Sequence, residues 1–314
     1  MPVASAILMV RPAAFGYNPE TAANNFFQQI DNNATDAELQ QNALMEFDNM
    51  VNILRAQNLE VIVIEDNEDP PKPDAIFPNN WISTFPDGRL AIYPMYAPSR
   101  RAEKRLEIIE QLKKRYQVNL QDWSRFEEEG RFLEGTGSMV IDHEHQMIYS
   151  CISERTNISV LEKFAVANKY QAIVFLATDK EGRAIYHTNV MMTLGEKFCV
   201  LCEESFEEEW ELIAVRELLD ATNHAIIPIS REQMECFAGN MIELQDQEGN
   251  HYLLLSETAF KSLRKEQKEM LEAFAELLPV PVPTIERIEG GSVRCMVAEI
   301  FLPRISETIR AEHK

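Results

Sequence analysis

The chain has 314 residues of which 45% are hydrophobic, enough apolar material for one large core or two ordinary ones. Its 51 acidic and 30 basic residues give a net charge of -21, which repels nucleic-acid phosphates and anionic membrane surfaces alike. No apolar run is long enough to span a bilayer, and residues 1–4 lack the charged start of a signal peptide. Five scattered cysteines are typical of a reducing compartment. The sequence therefore predicts a cytoplasmic protein without nucleic-acid or membrane partners.

The N-terminal segment predicts a strand, a helix and a second strand. Residues 5–11 are a short apolar run that ends before Pro12. Thr35 and Glu38 have the spacing of a capping box, and the apolar residues that follow keep helical spacing up to Arg55. A second apolar run, residues 60–65, has the composition of a strand.

From Asp74 onward the order strand, hairpin turn, strand, helix, strand recurs four times, with a period of about 50 residues. The predicted helices include residues 99–115, a helix capped by Ser205 with Glu208, and residues 260–278, and residues 280–282 are the last predicted strand. The first strands of the copies, including an incomplete fifth, begin at Asn80, Ser138, Asn189, Asn240 and Ser292.

The fifth copy runs out of chain, and the N-terminal strand, helix and strand supply what it lacks. The sequence therefore predicts an α/β fold in which five ββαβ units form a closed radial array. In this prediction residues 1–314 form a single domain, and the N-terminal segment completes the last unit. The starts of the five first strands then converge on one axis.

Three residues with complementary chemistry lie within a few residues of three such starts: Glu134, His187 and Cys295. Taken alone, Cys295 is equally well explained as a small residue of the apolar core. A carboxylate, an imidazole and a thiol can, however, orient a base, move a proton and attack an electrophilic carbon. Their shared place in the repeat predicts that they meet in a catalytic site.

The sequence predicts no metal site. Cys199 and Cys202 have the spacing of half a zinc site, but there is no second pair, and residues three apart on a strand face opposite sides. His143 and His145 alternate in a hairpin turn far from the strand starts, and we interpret this turn as solvated.

Five segments of the chain form an ordered set of motifs: MYAPSRRAE (residues 95–103), LEG (133–135), SERT (153–156), HTN (187–189) and GGSVRCM (290–296). In the same order they resemble motifs of the guanidino-group-modifying enzymes of the pentein superfamily, among which arginine deiminase is the most similar of the well-described members. Members of this family fold as five-bladed αβ propellers, so the resemblance implies the same architecture as the repeat.

The resemblance also implies roles. Cys295 would attack the planar carbon of the substrate, His187 would act as general acid and base, and Glu134 would orient His187. No metal or organic cofactor is implied, the substrate would be a small amino acid, and the oligomeric state stays open. The implied ligands of the polar ends of the substrate are Asp74, Arg100 or Arg101, and Arg155.

Two aspartates that bind the guanidinium cation in this family are replaced here by Asn80 and Asn189. Burying a guanidinium without carboxylates is unfavourable, whereas a neutral ureido group offers a carbonyl and N–H donors that amides can match. We therefore expect a cysteine-dependent hydrolase that converts citrulline to ornithine, ammonia and carbon dioxide.

Two alternatives remain open at this point. An arginine deiminase or an amidinotransferase acting on arginine would use the same three catalytic residues. In the amidinotransferase an amine instead of water would resolve the thiol adduct. A non-catalytic binding protein of the same fold, similar to the pentein ribosome anti-association factor, is the alternative of another class. The presence of Cys295, His187 and Glu134 together argues against the binding protein.

Overall fold

The computed structural model describes residues 3–305. Within this range there are fifteen strands and eleven α-helices. The strands are β1 (Ala6–Arg11), β2 (Glu60–Glu65), β3 (Ile82–Thr84), β4 (Arg89–Ile92), β5 (Asn119–Asp122), β6 (Val140–Asp142), β7 (Met147–Cys151), β8 (Gln171–Phe175), β9 (Met192–Leu194), β10 (Phe198–Leu201), β11 (Ala225–Pro228), β12 (Ile242–Gln245), β13 (His251–Ser256), β14 (Glu276–Val280) and β15 (Ala298–Glu299). The helices are α1 (Pro19–Ala22), α2 (Asp36–Ala56), α3 (Pro98–Arg101), α4 (Leu106–Lys113), α5 (Gly135–Ser138), α6 (Ile158–Asn168), α7 (Glu209–Ala221), α8 (Arg231–Glu235), α9 (Glu257–Ser262), α10 (Lys265–Glu272) and α11 (Pro283–Glu289).

The strands of the described residues form five three-stranded sheets, each with one antiparallel and one parallel pair. In the first sheet β4 lies between its antiparallel partner β3 and its parallel partner β5. A parallel pair needs a crossover connection, which explains why helical segments separate the second and third strands of each sheet. In the fifth sheet β1 pairs antiparallel with β15 and parallel with β2. The predicted architecture of five ββαβ blades is confirmed.

Hydrogen bonds between the inner edges of neighbouring blades close them into a ring. Most of them join a threonine hydroxyl to a backbone carbonyl of the next blade, so the blades are held together near the axis as well as by apolar packing. In order around the ring they are Thr136 to Asn79 (3.4 Å), Thr188 to Ser138 (2.6 Å), Thr193 to Gly239 (2.7 Å), the backbone bond of Gln245 to Ala4 (3.0 Å), and Thr84 to Glu299 (2.8 Å).

The first strands are shorter than predicted, because the residues at their starts form tight turns. Pro78–Asn80 and Thr188–Val190 are 3-10 turns, and Gly135–Ser138 is a single helical turn. Successive side chains of a strand would face opposite sides of the sheet. In the turn, by contrast, Asn79 and Asn80 are both buried.

Other predicted bounds were wrong. The helix predicted over residues 99–115 is divided into α3 and α4, and Ser205 lies in a 3-10 turn while α7 begins after Glu208. The apolar residues near 276–280 form β14, not the end of a helix, because they pair with β13, with Leu254 opposite Leu278. A short apolar run is compatible with either element, and only the partner decides.

The helix α2 agrees with its prediction. The hydroxyl of Thr35 accepts from the backbone N–H of Glu38, and the Glu38 carboxylate accepts from the backbone N–H of Thr35. Its buried stripe packs against the fifth blade. Within residues 3–305, no helix is long and apolar enough to cross a membrane.

Candidate active site

Glu134 and His187 form a buried pair near the centre of the ring. Glu134 immediately precedes α5, and His187 immediately precedes the 3-10 turn that leads into β9. Oε2 of Glu134 lies 2.8 Å from Nε2 of His187, and both side chains are almost fully buried. In the neutral imidazole this contact fixes the hydrogen at Nε2, so the carboxylate sets both the orientation and the tautomer of the ring.

The surrounding charges favour an ionised Glu134 and a neutral His187. Although burial alone would raise the pKa of Glu134, Arg155 and His187 hold that pKa at about 2. Burial lowers the pKa of His187 to about 4, although the hydrogen bond to Glu134 acts in the opposite direction. At neutral pH the imidazole can therefore accept a proton.

Cys295 lies in the turn before β15, and its sulfur faces two asparagine amides. The distance from Sγ to Nδ2 is 3.4 Å for Asn240 and 3.7 Å for Asn189. Asn189 is two residues beyond His187, so the structure brings the thiol, the imidazole and the carboxylate segments to one centre.

Asn240 is a site residue to which the motifs did not point. Its Nδ2 also donates to the backbone oxygen of Asn189 at 2.9 Å, so it links the third and fourth blades at the thiol. The repeat did indicate Asn240, because Asn240 starts the predicted first strand of the fourth copy, just as Asn80 and Asn189 start those of the first and third copies.

Several asparagine atoms at this centre have no hydrogen-bond partner among the described residues: Nδ2 of Asn80, Oδ1 of Asn189 and both polar side-chain atoms of Asn79. Asn80 is held by its other end, where Oδ1 accepts from Nη1 of Arg100 at 2.7 Å. Leaving a buried polar group unpaired costs about 1–3 kcal/mol. A ligand that offers both an acceptor and a donor would relieve this penalty.

Arg100 is bound on most sides by the protein. Its Nε and Nη2 donate to the two oxygens of Glu103 at 2.9 and 3.0 Å, and Nη2 also donates to the carbonyl of Phe77. Asp74 lies 4.0 Å from Nε and accepts a hydrogen bond from Nδ2 of Asn18. Through its bond to Asn80, Arg100 positions the amide that faces the centre.

Residues 18–28, which we call the cover segment, lie over this region. Nε of Arg155 donates to Oδ1 of Asn24 at 2.7 Å, and Nη2 donates to the carbonyl of Thr21 at 2.8 Å. Arg155 is thus buried beneath the cover segment. Arg101, by contrast, is partly exposed and donates to the backbone oxygens of Met95 and Tyr96, so the structure does not bring it to the centre.

Among residues 3–305 no group of three or more His, Cys, Asp or Glu side chains is arranged to hold a metal ion. Cys202 instead accepts a hydrogen bond from the hydroxyl of Ser205 at 3.2 Å. His143 differs from the solvated turn that we predicted. Its ring packs on Phe301, and its Nδ1 lies 2.8 Å from the hydroxyl of Tyr170.

The chain is similar to known proteins over nearly its whole length. The model of the family described as N,N dimethylarginine dimethylhydrolase, eukaryotic, matches residues 11–302. No protein among the curated sequences matches.

Solved structures show the same fold at low sequence identity. The N-terminal domain of ArgZ, an arginine dihydrolase from the ornithine–ammonia cycle in Cyanobacteria, solved with its substrate, has a TM-score of 0.71 and 14% identity over 95% of this chain and 98% of its own. Unliganded AgrE has a TM-score of 0.72 and 13% identity over 96% of this chain and 40% of its own. The adduct of a dimethylarginine dimethylaminohydrolase variant with S-methyl-L-thiocitrulline has a TM-score of 0.63 and 15% identity over 95% of this chain and all of its own.

Proposed function

We propose that this chain, which belongs to the N,N dimethylarginine dimethylhydrolase family within the pentein superfamily of guanidino-modifying enzymes, hydrolyses the ureido group of citrulline. The class of reaction, hydrolysis of a C–N bond, follows from the family. The choice of a ureido substrate is the specific part of the proposal. Its products would be ornithine, ammonia and carbon dioxide.

One observation carries the choice of substrate: the unpaired buried atoms of Asn80 and Asn189 match a ureido group. Nδ2 of Asn80 can donate to the ureido oxygen, and Oδ1 of Asn189 can accept from a ureido N–H. Both side chains are neutral, so neither compensates the charge of a buried guanidinium. The ureido group of citrulline is neutral and needs no compensating charge.

The reaction would then proceed through a covalent adduct on Cys295. His187 takes the proton of the Cys295 thiol, and the thiolate forms a bond to the ureido carbon. The C–N bond to the ornithine nitrogen then breaks as His187 passes that proton to the leaving amine. His187 next takes a proton from water, whose oxygen attacks the S-carbamoyl carbon. The C–S bond breaks, and the leaving thiolate regains the proton from His187. The resulting carbamic acid decomposes to ammonia and carbon dioxide. Glu134 positions the ring of His187 throughout.

The polar ends of the amino acid would be held at the edge of this centre. The motifs indicate Arg100 or Arg101, together with Arg155, as ligands of the α-carboxylate. Arg155 has the strongest support, since its Nη1 lies 3.6 Å from Oε2 of Glu134 at the centre, whereas Arg101 is partly exposed and directed away from it. Asp74 would contact the other polar end group.

An arginine-type substrate is the second candidate, because the family and the solved structures are named for arginine and dimethylarginine hydrolysis. A panel of citrulline, arginine and N,N-dimethylarginine, with ammonia and ornithine as readouts, separates the two. We expect turnover of citrulline in preference to the other two. Turnover of arginine without citrulline would contradict the ureido assignment.

The panel needs two controls. Cys295→Ala removes the proposed nucleophile and should abolish turnover of every substrate. Cys236→Ala changes a half-buried thiol outside the site and should leave turnover within about threefold of the wild type. Activity that survives in Cys295→Ala would reject the covalent mechanism.

The remaining expectations belong to the same proposal. The partner is a small amino acid, and a net charge of -21 disfavours nucleic acid. All five cysteines are free, which supports a reducing compartment such as the cytoplasm. Residues 1–314 would act as a single catalytic domain, although residues 1–2 and 306–314 lie outside the described part of the chain.

A further inference from the structure

Phe27 of the cover segment contacts three blades at once, although the reaction described above gives it no role. Between ring centroids, it lies 5.4 Å from Phe237, which precedes the fourth blade, and 6.3 Å from Tyr186, which precedes the third. Its Cβ packs on Gly290, where a Cβ on the glycine would approach it to 2.7 Å. Aromatic pairs at such distances attract each other beyond the effect of the area that they bury.

Two of these contacts lead to His187 and Cys295. Tyr186 immediately precedes His187, and the centroids of their rings are 4.8 Å apart. The hydroxyl of Tyr186 donates to the carbonyl of Gly290 at 3.1 Å, and Gly290 stands five residues before Cys295. A shift of the Tyr186 ring is therefore passed to the base and to the segment that carries the thiol.

The third contact leads to Asn240, whose amide lies 3.4 Å from Sγ of Cys295. Phe237 has a φ of +62°, a left-handed conformation that is uncommon for a bulky residue. Its carbonyl accepts from the backbone N–H of Asn240 at 2.9 Å. Such a conformation persists only where the surroundings hold it, and the ring of Phe27 is one of the contacts that do so.

The cover segment is anchored on both sides of Phe27. Nδ2 of Asn25 donates to the carbonyl of Glu289 at 2.9 Å. The backbone N–H of Gln29 donates to the carbonyl of Arg287 at 2.8 Å. None of these bonds uses the side chain of Phe27, so a substitution there removes the ring and leaves the anchors in place.

A cavity of about 560 Å³ lies beside the ring of Phe27, and Tyr186 and Phe237 also line it. Side chains in a close-packed core are held in place because no space is open to them. Here the two neighbouring rings have open space on one side. Their positions therefore depend on the ring of Phe27 more than those of ordinary core residues depend on any one neighbour.

We infer that Phe27 is a positioning residue, whose ring holds together the segments that carry His187, Asn240 and Cys295. It acts through its neighbours and not on the reacting atoms. The inference rests on the proposed catalytic centre but not on the choice of substrate, because it concerns the placement of the base and the thiol. The cover segment thus contributes to the geometry of the site as well as to its enclosure.

The variant Phe27→Ala tests this inference by steady-state kinetics. We expect kcat to fall by at least about 10-fold and KM to change by less than about threefold, since displacement of the reacting groups slows the reaction without removing a substrate contact. Phe27→Tyr keeps the ring and should retain at least about a third of the wild-type kcat. An unchanged kcat in Phe27→Ala, whatever happens to KM, or an equal loss in Phe27→Tyr would overturn the inference.

The matched control is Phe26→Ala, which removes the neighbouring ring of the same segment. Phe26 is 46% exposed and borders the same cavity, but its ring packs on the guanidinium of Arg183, 4.0 Å away. Its replacement should leave kcat within about threefold of the wild type. An equal fall in Phe26→Ala and Phe27→Ala would assign the effect to the cover segment as a whole and overturn the inference.

The protonation of His187 provides a second readout that needs no turnover. Burial lowers the pKa of His187 to about 4, the carboxylate of Glu134 opposes this change, and the guanidinium groups of Arg155 and Arg100 add to it. If the neighbouring ring moves away, water reaches the imidazole and the effect of burial weakens.

We therefore expect the pKa of His187 in Phe27→Ala to rise above about 5, as measured by NMR titration. The signals of this histidine are identified by their absence from His187→Gln. Phe26→Ala should keep the wild-type pKa. An unchanged pKa in Phe27→Ala would overturn the inference. If neither citrulline nor an arginine-type substrate is turned over, the proposed function fails while this titration still tests the placement of the base.

Discussion

Asn80 is fixed at one end of its amide and unpaired at the other. Oδ1 accepts from Arg100, which is itself bound to Glu103, so the orientation of the amide is set by a buried chain of contacts. Nδ2 then points its hydrogens at a site without any acceptor among residues 3–305. An aspartate here would replace a donor by an acceptor and add a negative charge.

We expect Asn80→Asp to lower kcat/KM for citrulline by at least about 10-fold, because the ureido oxygen loses its donor and meets a carboxylate instead. The ratio of arginine to citrulline turnover should rise. Both are measured by ammonia release. Asn157→Asp is the control, since Asn157 caps α6 and aspartate is an equally good cap. Equal losses for both substrates would contradict the assigned role of the amide.

The pH dependence follows from the neutral state of His187. A histidine in water takes up a proton near pH 6.5, but here the folded pKa is about 4, so the base stays available as the pH falls and is lost only near pH 4. We expect the acid limb of kcat/KM to lie well below pH 6.5. Glu134→Gln removes a contact that raises this pKa, so the limb should move lower still while kcat falls. A limb at pH 6.5 in the wild type would contradict this assignment.

The sequence pointed to the residues of the candidate site but not to their hydrogen-bond partners. Glu134, His187 and Cys295 stand in short motifs, and their convergence followed from the repeat. Asn240 lies in no motif, and its contact to Cys295 joins residues far apart along the chain. Such pairings depend on how neighbouring blades pack, which no local pattern encodes.

The short helix α5 separates two halves of the site. A Cβ on Gly137 would lie 2.5 Å from Nδ2 of Asn80 and 2.8 Å from the ring of His187. Real Cβ atoms do not approach so closely, so either side chain must move. The close packing at Gly137 thus sets the distance between the amide of Asn80 and the ring of His187.

We expect Gly137→Ala to lower kcat by about 100-fold, since displacements near 1 Å in an active site have effects of this size. The protein should remain folded by circular dichroism. Gly16→Ala is the control, because a Cβ there meets nothing within 4 Å. Full activity in Gly137→Ala would mean that Asn80 and His187 tolerate the shift and are not held in register by α5.

The bounds of elements were less predictable than their order. The strand starts resemble strands in sequence because a polar residue is followed by an apolar one, yet three of them lie in tight turns, Pro78–Asn80, Gly135–Ser138 and Thr188–Val190. Residues 276–280 have no period that distinguishes helix from strand, and pairing with β13 decides. The capping box at Thr35, in contrast, is a local device and was correctly read.

The ring as a whole depends on β1, the middle strand of the fifth sheet. Leu8 of β1 is fully buried and lies opposite Ala298 of β15 and Ile62 of β2. The apolar core of the first blade includes Leu8, so the strand supports two neighbouring blades. The repeat predicted this partnership, because the fifth copy needed strands from elsewhere. It did not predict the cover segment, since residues 18–28 have no periodic pattern.

We expect Leu8→Ala to lower the free energy of unfolding by about 2–5 kcal/mol, the usual range for a buried leucine that leaves a cavity. Urea unfolding followed by fluorescence measures the change. Met45→Ala on the exposed face of α2 should change it by no more than about 0.5 kcal/mol. A small effect of Leu8→Ala would mean that the fifth sheet contributes little to the stability of the ring.

The pairing of β1 with β15 also sets when reactivity can arise. A ribosome delivers β1 before any other strand of the ring and β15 after all of them, so the sulfur of Cys295 gains its neighbours only once the last blade has been synthesised. Contacts between such distant segments are slow to form. A nascent chain therefore lacks the proposed site until its last blade is in place.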